Sequence, residues 1–260
     1  MPQKLTLTIT RNIPNKSKVI LYPCCLAKQF GQVHLWRDGT LYAPSLPTGA
    51  NLDQAFRILG QFTLADPGLQ HAAICYYLEA LGDLDTCTAK DFTVEKNGLS
   101  LAAITLSDQG ARGLREDLSG PAISKTLEKA LNITLTQGFL LPDNASELRC
   151  LLEHLALREQ YDLIITTGGT GVTSRDITPE TTAKILDYQL PGFMQLMCST
   201  GLLKTPTACL SRAQAGVLGR SLIINLPGSK KAVTENLTAL LPVLPHALDK
   251  LHDDPTPCGG

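Results

Sequence analysis

Residues 161–165 (Tyr-Asp-Leu-Ile-Ile) form a mostly apolar run that feeds into Thr166-Thr167-Gly168-Gly169-Thr170-Gly171. Three glycines in four positions permit positive φ and let backbone N–H groups approach a ligand without obstruction by Cβ atoms. A polar loop through Ser174-Arg175-Asp176 follows. Thr178-Pro179 then reads as an N-cap with proline in the first helical turn. Strand, glycine turn and helix in that order belong to open α/β sheets, which bind phosphorylated ligands at the carboxyl ends of parallel strands.

The surrounding sequence repeats this unit. Residues 99–107 are nearly all apolar and read as a strand covered on both faces. A helix is expected over 121–130 with Ser119 as N-cap, then a strand over 133–141. Asn144, with Glu147 three residues on, supplies a capping box for a helix to about residue 158. Pro191 opens a helix with Phe193, Leu196 and Met197 on its inner face. A strand over 221–226 runs into Pro227-Gly228-Ser229 and a helix to Leu241. Strands alternating with helices predict an α/β fold, a mainly parallel sheet sandwiched between helices with right-handed crossovers.

The polar stretch 88–98, ending in Asn97-Gly98, marks a boundary. Before it, Leu5, Leu7 and Ile9 alternate with threonines as in a half-buried strand. Residues 32–40 suggest a hairpin, with 41–46 continuing it. Spacing over 52–59 and 70–81 predicts helices. The expected organisation is a small α+β domain over 1–95, carrying no chemistry-bearing motif, an α/β domain over 99–252, and a flexible tail over 253–260.

Formal net charge is −1, so no global attraction draws the chain to nucleic acid or an anionic membrane. No apolar stretch has the length of a membrane span, and the N-terminus lacks a basic region followed by an apolar run, which makes the cytoplasm the expected address. Eight cysteines are spread irregularly. Cys75, Cys150, Cys198 and Cys209 lie in apolar or helical contexts and read as buried free thiols. Cys24-Cys25 has no second pair or nearby histidines at ligand spacing, and the five histidines form no cluster.

Four ordered segments carry a family resemblance over roughly residues 99–250. They are Ile104-Thr105-Leu106-Ser107-Asp108 with Glu116-Asp117-Leu118-Ser119-Gly120; Leu141-Pro142-Asp143; the 166–180 loop; and Asn225-Leu226-Pro227-Gly228-Ser229-Lys230. This part resembles the MogA/MoaB family of molybdopterin-binding proteins, whose fold is shared with the gephyrin G domain. The resemblance implies binding of molybdopterin and its adenylylation by Mg-ATP, yielding adenylyl-molybdopterin and pyrophosphate.

Attack of one anionic phosphate on another needs charge neutralisation and alignment more than a protein nucleophile. Asp143 and Asp176 match the family's two essential aspartates and are expected to hold Mg²⁺; their competing roles are a helix cap and a turn aspartate. Thr167, Gly168, Gly169, Thr170 and Gly171 are expected to supply donors to a phosphate. Ser107 and Asp108 are expected to line the pterin or nucleotide pocket. Asn225, Pro227, Gly228 and Ser229 form a second strand-to-helix turn able to receive a phosphate, with Lys230 beside it. Ser211-Arg212 also recurs in the family; Arg212 suits either a phosphate fork or an internal ion pair.

No Walker loop and no dinucleotide fingerprint is present in the sequence. The resemblance further implies a homotrimer or hexamer, with a molybdenum-insertion protein as downstream partner. A non-catalytic molybdopterin-binding or delivery module is the alternative, and a molybdate-using insertion step a third.

Overall fold

The computed structural model describes residues 4–23, 33–36, 46–64 and 73–252. The chain divides into two compact units, Met1–Gly98 and Leu99–Gly260.

The first unit is a closed barrel. Its strands are β1 (Lys4–Ile9), β2 (Lys18–Pro23), β3 (Val33–Trp36), β4 (Asn51–Leu52), β5 (Phe56–Leu64), β6 (Ala73–Ala80) and β7 (Cys87–Glu95). They run in the order β1-β3-β2-β6-β5-β4-β7, and β7 pairs back to β1. Period-two alternation fills the interior with Leu5, Leu7 and Ile9 from β1, Phe56 and Ile58 from β5, and Tyr76, Leu78 and Ala80 from β6. Closure leaves no exposed sheet edge.

The helices expected over 52–59 and 70–81 are not formed: the described part of each is strand and turn, and the described residues of this unit include no helix. A bulge explains the first. The register shifts between Ile58 and Gly60, so the extra residue, Leu59, puts apolar side chains at 52, 55, 56 and 59, a helical spacing produced by a broken strand. In the second, residues 74, 76, 78 and 80 follow period two. Of the expected hairpin over 32–40, β3 is present, while residues 37–45 lie outside the described residues, as do Cys24, Cys25 and the tail 253–260.

The second unit is a six-stranded sheet in the order β11-β12-β13-β10-β8-β9. Its strands are β8 (Leu99–Leu106), β9 (Ile133–Leu141), β10 (Leu163–Thr167), β11 (Tyr188–Gln189), β12 (Ala215–Leu218) and β13 (Ser221–Leu226). The four strands β13, β10, β8 and β9 are parallel; β12 and β11 extend the edge antiparallel, so the sheet is mixed around a parallel core. The helices are α1 (Asp108–Ala111), α2 (Ser119–Leu127), α3 (Ala145–Glu153), α4 (Thr178–Ala183), α5 (Pro191–Leu202), α6 (Lys230–Leu240) and α7 (Leu244–Leu251). A π-helical segment, His154–Arg158, prolongs α3 to its expected end.

Alternation splits the sheet residues into two layers. Leu101, Ala103, Leu163, Ile165, Leu222 and Ile224 pack with residues of α2, α5, α6 and α7. Ala102, Ile104, Ile164 and Ile223 pack with Leu148 and Leu152 of α3. Burying each Leu, Ile or Val side chain contributes about 1.5–3 kcal/mol, which makes the central strands the anchor for every loop they end in. At the opposite end of the sheet, the buried Asp162 carboxylate accepts from the Ser100 N–H at 2.7 Å and its hydroxyl at 2.8 Å, tying β10 to β8.

Chain order places the site. β8 enters the middle of the parallel core; α2 carries the chain to β9 on one side and α3 returns it to β10 on the other. The loops after β8 and β10 therefore leave in opposite directions, which opens a crevice at the strands' carboxyl edge. The loops after β9 and β13 emerge on the same edge.

Candidate functional site

The glycine turn is held by its neighbours. Gly168 has φ +97°, and a Cβ there would lie 2.4 Å from the Leu106 carbonyl oxygen, so glycine is required on both counts. The Gly168 N–H donates to the Leu226 carbonyl at 3.3 Å. Thr178 does not cap α4; it is the first residue of that helix, and its hydroxyl donates to the Gly168 carbonyl at 2.9 Å. Its N–H donates to the Gly169 carbonyl at 3.1 Å.

Arg212 closes the turn from the other side. Its N–H donates to the Thr170 carbonyl, its Nε to the Gly171 carbonyl at 2.6 Å and its Nη2 to the Asp176 carbonyl at 2.7 Å, while Nη1 pairs with Glu180. Of the two roles open to Arg212, the internal one is the one formed. The guanidinium satisfies carbonyls that a glycine-rich loop leaves without partners.

Both expected aspartates lie against this turn. A Cβ on Gly169 would sit 3.5 Å from Asp143 Oδ1, and one on Gly171 would sit 3.0 Å from Asp176 Oδ2. Asp176 Oδ2 accepts from the Thr173 N–H at 2.8 Å and the Thr173 hydroxyl at 2.6 Å. The Thr173 hydroxyl, then the amides of Thr173 and Gly171 and the charge of Arg212, hold the Asp176 carboxyl below the ordinary aspartate range. Asp143 goes the other way: burial first, then the charges of Asp108 and Asp176, push its carboxyl up. Pairs of acids driven apart in this way are typical of working sites.

Asp108 is the third acid of the group. Its Oδ1 accepts from the Asp143 N–H at 3.0 Å and its Oδ2 pairs with Arg175. The Asp143 amide, then Arg175, hold the Asp108 carboxyl low. Ser107 caps α1 by accepting from the Gly110 N–H at 3.1 Å. Asn144 caps α3, accepting from the Ser146 and Glu147 N–H groups, which leaves Asp143 outside that cap.

Two cavities adjoin the turn. One of about 410 Å³ is lined by Ser107, Arg115, Asp117, Ser119, Thr167 and Lys230 together with Leu106, Leu118 and Leu140. The other, about 530 Å³, is lined by Gly169, Thr170, Gly171, Asp176 and Pro227 together with Met194, Met197 and Leu210. Gly228 and Ser229 form a wall of both. A Cβ on Gly228 would come within 3.2 Å of Gly168 Cα, so the two strand-to-helix turns meet glycine to glycine.

Several residues have roles that the sequence did not reveal. Asn225 is fully buried: Oδ1 accepts from the Gln214 N–H, and Nδ2 donates to the hydroxyls of Thr166 at 2.9 Å and Thr182 at 3.0 Å. Its side chain ties β13 to β10 and α4. The Thr167 hydroxyl donates to the Pro227 carbonyl at 2.8 Å. Ser229 caps α6, accepting from the Ala232 N–H, and Lys230 is that helix's first residue. Ser119 does not cap α2. Leu118 holds the N-cap position, and Asp117 just before it accepts from the N–H groups of Ser119 and Gly120, while the Ser119 hydroxyl donates to the Gly228 carbonyl at 2.9 Å. Of the thiols expected to be buried, Cys75 is and Cys198 is half-buried in the larger cavity's wall, but Cys150 and Cys209 are exposed. Each of those two lies on the solvent side of its element.

Among the described residues, no three His, Cys, Asp or Glu side chains converge as a ready-made metal site. No helix among them is long and apolar enough to cross a membrane.

Comparison with known proteins decides the family. Residues 102–246 match the model described as a probable molybdopterin binding domain. The chain belongs to this family. The match lies within the second unit and leaves the barrel uncovered. The chain is 41% identical over 152 residues to the molybdopterin adenylyltransferase of Helicobacter pylori, spanning 58% of this chain and 86% of that protein. It is 45% identical to the solved molybdopterin biosynthesis enzyme MoaB of Thermus thermophilus, with a TM-score of 0.55 over 61% of this chain and 98% of that one. The Mog protein of Mycobacterium ulcerans is 38% identical, with a TM-score of 0.56 over 59% and 99%.

Proposed function

We propose that the chain acts in molybdenum cofactor biosynthesis as a molybdopterin adenylyltransferase. A terminal phosphate oxygen of molybdopterin attacks the α-phosphorus of ATP, the α–β bridge bond breaks, and pyrophosphate leaves. Family membership and the 34–41% identity to proteins named for this activity support the reading. The observation that carries it is the pair of carboxylates, Asp143 and Asp176, flanking one glycine turn at the carboxyl edge of a parallel core.

The donor set fits Mg²⁺, a hard cation that takes one or two carboxylates and completes its shell with phosphate oxygens and water. Asp143 and Asp176 would hold it. Bound there, the ion would supply charge neutralisation for phosphate groups. The chain's own residues do the rest. Asp108 fixes the Asp143 backbone, Thr173 orients the Asp176 carboxylate, and the turn from Gly168 to Gly171 brings the backbone close to the reacting phosphates. Alignment of the two anions is the main contribution asked of such a site. The cavity walled by Met194 and Met197 suits a flat heteroaromatic ring; the one that holds Arg115 and Lys230 suits phosphates and hydroxyls.

The test is pyrophosphate release and adenylyl-molybdopterin formation from purified chain, Mg-ATP and molybdopterin, beside Asp176→Asn. Turnover lost in the variant is the expected result. Tight pterin binding without turnover in either protein would move the chain to the non-catalytic binding or delivery reading, to which the uncovered barrel would then belong.

A further inference from the structure

Arg175 has no place in the reading above, yet it sits within the acid group. Its guanidinium pairs with Asp108 Oδ2. The other oxygen of that carboxylate accepts the Asp143 N–H at 3.0 Å, and Asp176 follows Arg175 directly in the chain. One cation thus bridges the loop after β8 and the loop after β10, and its charge acts on both Asp108 and Asp143. The other arginine of this turn, Arg212, is half-buried and committed to backbone carbonyls. Arg175 is different: its side chain is 69% exposed and its partner's 28%, so the pair stands at the mouth of the crevice. An exposed pair of this kind is held weakly, within about 1 kcal/mol, and exchanges partners readily.

An arginine there has an alternative partner once a polyphosphate arrives. A guanidinium forks onto phosphate oxygens at least as well as onto a carboxylate. A divalent cation at Asp143 and Asp176 would repel Arg175 from the acids just as the bound phosphates attract it. We propose that Arg175 is an exchangeable counterion of the site, paired with Asp108 in the empty chain and passed to a phosphate oxygen of the bound nucleotide when a divalent cation is taken up. This rests on the adenylyltransferase reading for the identity of the nucleotide, but not for the exchange itself.

The exchange predicts effects of opposite sign. Removing the charge in Arg175→Gln leaves the acids uncompensated, so Mn²⁺ alone, titrated by electron paramagnetic resonance, should bind roughly three- to tenfold more tightly. The same variant should bind Mg-ATP roughly tenfold more weakly, because the phosphate loses its fork. Arg175→Lys keeps the charge and should leave Mn²⁺ affinity near that of the parent while still weakening Mg-ATP. A residue that merely braces the two loops would weaken both ligands together. Mn²⁺ affinity unchanged or reduced in Arg175→Gln, Mg-ATP affinity unchanged, or a parent chain that binds no Mn²⁺ would each overturn the proposal. Opposite shifts in a parent that releases no pyrophosphate would uphold the exchange and reject the adenylyltransferase reading.

Discussion

Asp108 and Asp143 clasp each other at the carboxyl edge of the sheet: the Asp143 N–H donates to Asp108 Oδ1 at 3.0 Å, and the Asp108 amide in turn lowers the Asp143 carboxyl. The loops after two neighbouring parallel strands are thereby locked together through their first acidic residues. The clasp keeps the Asp143 carboxyl beside the glycine turn despite burial and two like charges that oppose its ionisation.

That opposition has a measurable sign. A carboxyl raised in the folded state contributes stability that is full below the ordinary value of 3.8 and lost as pH rises through the folded value. Asp143→Asn removes the loss, so the variant should melt above the parent at pH 7, with the difference vanishing in acid. Asp108 and Asp176 are lowered, so their stabilisation is present above 3.8 and lost as pH falls through their folded values. AMP transfer by Asp143→Asn should fall roughly a hundredfold or more. A variant that melts lower at pH 7, or that turns over normally, would reject this account of Asp143.

Gly168→Ala tests the turn. Positive φ costs a non-glycine residue about 1–2 kcal/mol, and the Leu106 carbonyl oxygen stands 2.4 Å from the new Cβ. Since that neighbour is backbone in a central strand, the total should exceed about 3 kcal/mol in urea unfolding. Gly138→Ala, with nothing within 4 Å, is the matched control and should be neutral or stabilising by a few tenths of a kcal/mol.

The second unit was legible in its sequence because its strands are continuous apolar runs ending in turn residues; β9 and β13 begin and end at the residues the pattern indicates. The short β11 and β12 carry too few residues to signal themselves. In the barrel, one bulged residue turned a strand's period into a helix's. Of the site, the glycine turn stood out by its three glycines in four positions, whereas Asp143 and Asp176 were marked only by the family resemblance, since their spacing alone suits a helix cap and a turn aspartate. Hydrogen-bond direction was not legible. Thr178 and Ser119 looked like caps because they precede helices, yet the Thr178 hydroxyl donates back to the Gly168 carbonyl of its own loop and the Ser119 hydroxyl to the Gly228 carbonyl of a turn remote in sequence. Arg212 and Asp176 are 36 positions apart, and nothing local announces that one braces the other.

Asn225 illustrates the same point and gives a third test. Its amide satisfies three partners in a fully buried position, so Asn225→Ala strands two hydroxyls and one backbone N–H. Leaving such groups unpaired should cost about 2–4 kcal/mol. Mg-ATP affinity of the folded fraction, measured by calorimetry well below the melting point, should stay within about twofold of the parent. A large loss of affinity at undiminished stability would instead make Asn225 a ligand contact.

Arg212 gives the sharpest separation between bracing and binding. Its Nε and Nη2 reach the carbonyls of Gly171 and Asp176, spanning the whole turn from one guanidinium. Lysine offers a single ammonium and cannot satisfy both. In Arg212→Lys the freed carbonyls would turn to water, and the loop would open more often. Amide hydrogen exchange at Thr173 and Asp176 should accelerate roughly tenfold for each 1.4 kcal/mol lost. KM for Mg-ATP should rise while Mn²⁺ affinity falls, so the two ligands weaken together, whereas Arg175→Gln weakens Mg-ATP but tightens Mn²⁺. Glu180→Gln removes only the half-exposed ion pair at the rim and should cost no more than about 0.5 kcal/mol, with exchange unchanged. If Glu180→Gln loosens the loop as much as Arg212→Lys does, the carbonyl bonds are not what holds it, and the ion pair would have to take their place.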